Sequence, residues 1–200
     1  MKKLNLGCGK DLKQGYLNVD FYDLPMPAKV ADTMRCDLSS FPWPFKDDSA
    51  SEILMLDFLE HFEYSKTRTI LQEVWRVLEK DGFVDIQVPD FTECAKAMLY
   101  HSPYNCNSCG YVFTDADGYL CNHCCRARHE IAESAMERLY GGQNHKGNYH
   151  YTAFTKKSME TLLYQEGFDK FEFFETNENG ETYQQNWNFK VRAYKKTKLW

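Results

Sequence analysis

The chain has 200 residues and a formal net charge of −5, long enough for one domain with a real core and of the wrong sign for a broad nucleic-acid surface. It carries no internal repeat, no low-complexity tract and no apolar run approaching a membrane span, and its start, MKKLNLGCG, lacks the apolar stretch of a secretory signal. These features set the expectation of a cytoplasmic protein, away from membranes, whose partner is a small molecule or another protein.

The first predicted elements are short apolar strands at Lys2–Leu6 and Tyr16–Val19, joined through LGCGKDLKQG. Only six residues lie between Gly9 and Tyr16, whereas a parallel crossover takes a dozen or more and normally contains a helix. The stretch therefore reads either as a nucleotide-type loop with its helix cut down or as a tight turn. Further strand-like runs cover Val30–Cys36, Glu52–Leu56 and Phe83–Val88. The last two flank a helix over Thr67–Lys80, in which Ile70, Leu71, Val74, Trp75, Val77 and Leu78 recur at helical spacing, with Ser65 as N-cap and Gly82 just past the end. Strand, helix, strand with apolar strands predicts a parallel sheet. A later helix over Lys156–Gln165 places Met159, Leu162 and Leu163 on one face and stops at Gly167, after which Phe168–Glu175 and Asn186–Tyr194 read as a closing antiparallel hairpin.

Asp20 stands at the end of the second strand, where open α/β sheets bind ligands and where a carboxylate can accept both hydroxyls of a ribose. Gly7 and Gly9, lacking Cβ atoms, let the backbone turn sharply and come close to a ligand. A dinucleotide fingerprint calls for glycine at position 12, and Leu12 stands there, which speaks against a nicotinamide-type site. After the third strand, Asp37 and Leu38 can offer a carboxylate and a backbone amide to an adenine edge, and the fourth strand runs out into LDFLEH, bringing Asp57, Phe58, Glu60 and His61 to the same edge.

In this order and spacing, LNLGCG, NVD, CDL, PFKDDSASEILMLDFLEHF, LQEVWRVLEKDGFVDIQVPD and FTKKSMETLLYQEGF resemble the class I S-adenosylmethionine (SAM) dependent methyltransferases, of the small type with a shortened first crossover. The resemblance covers about residues 2–90 and 145–194. It implies a Rossmann-like, mostly parallel α/β sheet with a C-terminal antiparallel hairpin, and methyl transfer from SAM to an acceptor. The implied cofactor residues are Leu6, Gly7, Cys8, Gly9, Asp20, Phe21, Asp37, Leu38, Asp57 and Phe58. His61 is the candidate general base, because neutral imidazole is available near pH 7, with backbone hydrogen bonding as its plainer role. Glu60 is either a cofactor contact or a solvated charge. His145, His150 and Tyr151 are candidate substrate contacts, the alternative being a polar loop with Tyr151 and Phe154 packed on the sheet.

Residues 93–140 interrupt the pattern and divide the chain into a core of 1–92 and 141–200 and an insert. Cys106, Cys109, Cys121 and Cys124 form C-x2-C-x11-C-x2-C, two thiolate pairs at the spacing of a structural, four-cysteine zinc site. Cys125 or His123 can replace a neighbour as ligand, and disulfides are the competing chemistry, disfavoured in a reducing compartment. DADG between the pairs is a hairpin signal, and a helix over Ala127–Tyr140, with Ile131, Ala135, Met136 and Leu139 facing inward, is expected to dock the insert on the core. Cys36 and Cys94 read as small buried hydrophobes. A second function stays open, a non-catalytic module whose zinc ribbon recognises nucleic acid or a protein on a methyltransferase-like scaffold. Asp20 favours the enzyme, since a scaffold needs no carboxylate there, and Arg126, Arg128 and Lys146 are few for a nucleic-acid surface.

Overall fold

A computed structural model describes residues 2–21, 32–100, 129–145, 147–174 and 187–196. Seven strands form one sheet: β1 (Lys2–Leu6), β2 (Leu17–Asp20), β3 (Asp32–Arg35), β4 (Ala50–Leu56), β5 (Leu78–Pro89), β6 (Phe168–Phe174) and β7 (Asn188–Lys195). Their spatial order is β3-β2-β1-β4-β5-β7-β6. The first five pair in parallel, while β7 is antiparallel to both β5 and β6. The C-terminal hairpin is present, with its second strand slotted between β5 and its first.

Burial follows this topology. In β4 the successive residues Ile53, Leu54 and Met55 are all buried, as in a parallel strand covered on both faces. In β7, Phe189, Val191, Ala193 and Lys195 are buried and alternate with half-buried residues, the period of a strand with one face toward solvent. Helices α1 (Tyr64–Val77) and α4 (Lys156–Gln165) cover the sheet with Ile70, Leu71, Val74 and Val77 from one and Met159, Leu162 and Leu163 from the other. Each such side chain contributes about 1.5–3 kcal/mol by leaving water. The two helices are tied by Arg68 to Glu166 and by Trp75 Nε1 donating to the Gly167 carbonyl at 3.0 Å. Thr155 and Ser158 cap α4 reciprocally, each backbone N–H meeting the other's hydroxyl.

Two boundaries depart from the sequence pattern. Helix α1 starts at Tyr64 with Glu63, not Ser65, in the cap position, which sets a carboxylate at the positive end of the helix dipole. At its other end Leu78 turns extended and opens β5 directly, so Gly82 lies inside the strand, where the register jumps from Ala50–Leu78 to Glu52–Phe83. A Cβ on Gly82 would stand 3.0 Å from the Glu79 carbonyl.

Helices α2 (Phe91–Tyr100) and α3 (His129–Tyr140) pack together over a second cluster of Cys94, Ala135, Leu139 and Trp187, with Met98 at its margin. Met136 lies outside it, 44% exposed, because one turn of α3 presents only Ala135 and Leu139 to the cluster. Ile131 and the cysteines of the proposed zinc site fall outside the residues whose side chains are described. No helix among the described residues is long and apolar enough to cross a membrane.

Candidate ligand site at the strand ends

The connection from β1 to β2 contains no helix; two buried asparagines shape it instead. Asn5 Nδ2 donates to Asn18 Oδ1 and to the Asp11 carbonyl, both at 2.9 Å. Asn18 accepts from the Lys13 N–H at 2.8 Å and donates toward the carbonyls of Lys13, Tyr16 and Asp32. The N–H groups of Gly7 and Cys8 return to the Val19 carbonyl at 2.8 and 3.3 Å, and the Gly9 N–H donates to Asp20 Oδ2 at 2.8 Å. Gly7 and Gly9 both take left-handed backbone, φ +65° and +51°. A Cβ on Gly7 would lie 2.0 Å from Phe58 Cδ2, whereas one on Gly9 would meet nothing within 4 Å.

That open space belongs to a cavity of about 440 Å³ at the carboxyl ends of β1, β2 and β4, where the strand order reverses. Gly7, Gly9, Asp20 and Phe21 line one side, Asp37 and Leu38 a second, Asp57, Phe58 and His61 a third, and His145 the rim. Leu6 and Cys8 are buried behind this wall, and Tyr151 is 61% exposed, turned away from the sheet on which Phe154 alone packs. Cys36, expected as a small buried hydrophobe, is half-buried and lines the cavity, as do Ser39, Phe62, Gly147 and Asn148, which the sequence pattern did not single out. Their only signal is adjacency to residues already singled out.

The electrostatics differ around the wall. The Asp37 carboxylate accepts from the Ser39 hydroxyl at 2.7 Å, the Ser39 N–H at 2.9 Å and the Ser40 hydroxyl at 3.0 Å, and these bonds hold it below the ordinary carboxylate range. Asp57 adopts φ +50° at the end of β4, its carboxyl held by Asn188 Nδ2 at 2.7 Å and Gln87 Nε2 at 3.1 Å. The residue is open to the cavity, yet the protein packed around its carboxyl raises its pKa. Burial likewise pushes the Cys8 thiol up to about 12, with Asp20 adding to it.

His61 ends a 3-10 turn, Leu59–His61, and its Nδ1 lies 3.1 Å from the Tyr149 carbonyl. His150 Nδ1 lies 2.8 Å from the Arg138 carbonyl, and the two imidazoles meet edge to face with centroids 4.7 Å apart. Glu60 is not a solvated charge. It is 1% exposed, and burial, with Asp57 close by, drives its pKa well above the usual value.

This strand order and the cavity at its switch point make the fold that of the SAM-dependent methyltransferases with a Rossmann-like sheet. Among solved structures, a SAM-dependent methyltransferase from Archaeoglobus fulgidus aligns with 97% of this chain and 86% of its own at 11% identity and a TM-score of 0.57. The 1,6-didemethyltoxoflavin-N1-methyltransferase of Burkholderia thailandensis, solved with bound 1,6-didemethyltoxoflavin and S-adenosylhomocysteine, aligns over 97% and 70% at 16% identity and a TM-score of 0.55. A SAM-dependent methyltransferase from Methanosarcina mazei aligns over 98% and 93% at 16% identity and 0.52. No protein-family model and no curated protein matches the sequence.

Proposed function

We propose that the chain binds SAM in the cavity at the strand ends and transfers its methyl group to an acceptor there. The observation that carries this reading is the cavity's position: it opens at the topological switch point, walled by a left-handed glycine loop and by Asp20 at the end of the neighbouring strand. Its volume falls in the ordinary range for a small-molecule site, roughly 300–1,000 Å³.

The residues suit the ligand. Asp20 is the ribose-binding carboxylate, kept in place by the Gly9 N–H; Asp37 and Leu38 form the adenine corner, and the space over Gly9 receives the amino-acid end. When bound, SAM supplies an electrophilic methyl whose bond to sulfur breaks, its electron pair passing to sulfur, as the acceptor's bond to carbon forms. The chain's task is then to line up the acceptor and exclude water. His61 borders the cavity with Nδ1 facing a carbonyl, which places the proton on Nδ1 and leaves Nε2 to accept a proton from an acceptor that must lose one. The acceptor class that fits is a small molecule or a protein side chain, and the negative net charge favours neither nucleic acid nor membrane. We further propose a structural zinc on Cys106, Cys109, Cys121 and Cys124, supported by their spacing alone.

Calorimetric titration with SAM tests the reading. About one SAM per chain is expected, and Asp20→Ala should weaken binding by about 1.5–3 kcal/mol, the scale of a hydrogen bond to a charged group. Unchanged affinity in Asp20→Ala would remove the ribose assignment, and no binding by the wild type would remove the function.

A further inference from the structure

Glu60 is the least satisfied polar group among the described residues. Its side chain is buried, and neither carboxyl oxygen finds a hydrogen-bond partner there, although buried carboxyls in folded proteins are ordinarily paired, hydrogen-bonded or bound to metal. Two imidazoles stand beside it, and the ligand atoms of Glu60, His61 and His150 all lie within 4.8 Å of one another.

The two histidines are prepared for coordination. Each turns Nδ1 toward a backbone carbonyl, Tyr149 for His61 and Arg138 for His150. A carbonyl only accepts, so each Nδ1 carries the proton and each Nε2 presents a lone pair, the arrangement in which metal-binding histidines are held by their outer shell. The backbone fixes the cluster as well. The N–H groups of Tyr151 and Thr152 donate to the Glu60 carbonyl at 2.8 and 3.3 Å, the Thr152 hydroxyl donates to the Phe62 carbonyl at 2.6 Å, and the His150 N–H donates to the Tyr140 carbonyl at 3.1 Å. Two segments far apart in sequence are thus locked with one carboxylate and two imidazoles facing each other.

We propose that Glu60, His61 and His150 bind a divalent first-row transition ion, with zinc and cobalt as suitable probes. One carboxylate and two neutral imidazoles are a borderline N/O ligand set of the kind such ions favour. Ligand atoms around such an ion, at about 2.1 Å each, stand roughly 3.4 Å apart, so the three side chains close inward by rotation on a fixed backbone. Three protein ligands leave a coordination position open, and because His61 lines the cavity that position borders it. This site shares no ligand with the cysteines proposed for zinc; with the ion bound, His61 Nε2 is its ligand and is no longer free to act as a base, and the site stands whether or not the cavity takes SAM.

The test is a cobalt(II) titration of the full chain followed by absorption. Thiolate-bound cobalt shows an intense near-ultraviolet charge-transfer band, whereas an N/O site gives only weak visible bands. Wild type should take up an equivalent with no charge-transfer intensity, in addition to any bound by thiolates, and the Cys106→Ser/Cys121→Ser chain should retain it. Glu60→Gln, nearly isosteric and neutral, and His150→Ala should each weaken that uptake by at least about 100-fold, beyond the usual loss from an outer-shell change, with an unchanged far-ultraviolet circular dichroism spectrum. Absence of a non-thiolate equivalent in the wild type, or wild-type uptake by a folded Glu60→Gln chain, overturns the assignment.

Discussion

Alanine at Gly7 probes how the glycine loop is built. Two costs add there. The first is conformational: at φ +65° an alanine pays about 1–2 kcal/mol for left-handed backbone, offset by about 0.4–1 kcal/mol from its stiffer unfolded chain. The second is steric, because the new methyl would stand 2.0 Å from Phe58 Cδ2 and 2.8 Å from Cγ. Phe58 is held edge-on by Phe62 at a centroid distance of 4.8 Å, so it gives way only toward the cavity that it lines. Overpacking of this kind costs about 1–3 kcal/mol, so the net loss is about 1–5 kcal/mol. Gly15 supplies the control, with φ +81° and nothing within 4 Å of a Cβ, and its alanine variant should lose about 1 kcal/mol or less. Urea unfolding reads the difference: at a slope of about 2 kcal/mol per molar, the Gly7→Ala midpoint falls about 1 M below that of Gly15→Ala. Coincident midpoints would refute the claim that Phe58 is what forbids a side chain at Gly7. Gly9→Ala completes the series: with open space over its Cβ, it should match Gly15→Ala in stability yet lose SAM affinity in calorimetry, since its methyl enters the cavity.

Glu73 accepts from the Trp43 N–H and from Arg76, each at 2.7 Å, so Glu73→Ala should cost about 3 kcal/mol in urea unfolding at neutral pH. Arg76 holds the Glu73 carboxyl below its ordinary range, so this contribution is present above the unfolded-state pKa near 4.5 and is lost as pH falls through the depressed folded-state value; the gap between wild type and variant closes in acid. Burial pushes the thiols of Cys8 and Cys94 up to about 12, and neither should be alkylated by iodoacetamide at pH 8 in the native protein, as peptide mass spectrometry would show. Metal analysis should find one thiolate-bound zinc that Cys106→Ser or Cys121→Ser removes, with SAM affinity unchanged in calorimetry because the cofactor residues lie outside the insert.

The parallel sheet was legible because apolar strands flanking a periodic helix have few other ways to pack, and Gly7, Gly9 and Asp20 could be read together because adjacent parallel strands bring their ends side by side. Where α1 stops was not legible. Leu78 continues the helical period of Ile70, Leu71, Val74 and Val77, yet it is buried from a strand that begins where the helix ends, and periodicity does not report a change of backbone when the next apolar residue faces the same core. Met136 was misplaced for a related reason, since a helix packed on a small cluster needs fewer inward positions than the pattern offers. Glu60 beside His61 reads as a polar pair at a strand edge. The segment around Tyr151 and Thr152 meets Glu60 through backbone hydrogen bonds to its carbonyl, a contact to which no side-chain pattern corresponds.

The first crossover shows how a loop too short for a helix still walls a cavity. Helices in such connections ordinarily present free N–H groups toward a ligand. Here the N–H groups of Gly7, Cys8 and Gly9 are already committed to the Val19 carbonyl and to Asp20, and Asn5 with Asn18 takes up the backbone groups that a helix would have bonded internally. The loop is therefore a stiff wall and not an anion cradle. In the proposed SAM site, recognition on this side would fall to shape, through the space over Gly9, and to the Asp20 carboxylate, which accepts from the Gly9 N–H. A ligand with neutral hydroxyl donors satisfies that wall, and a bare phosphate, offering negative charge to a carboxylate, does not.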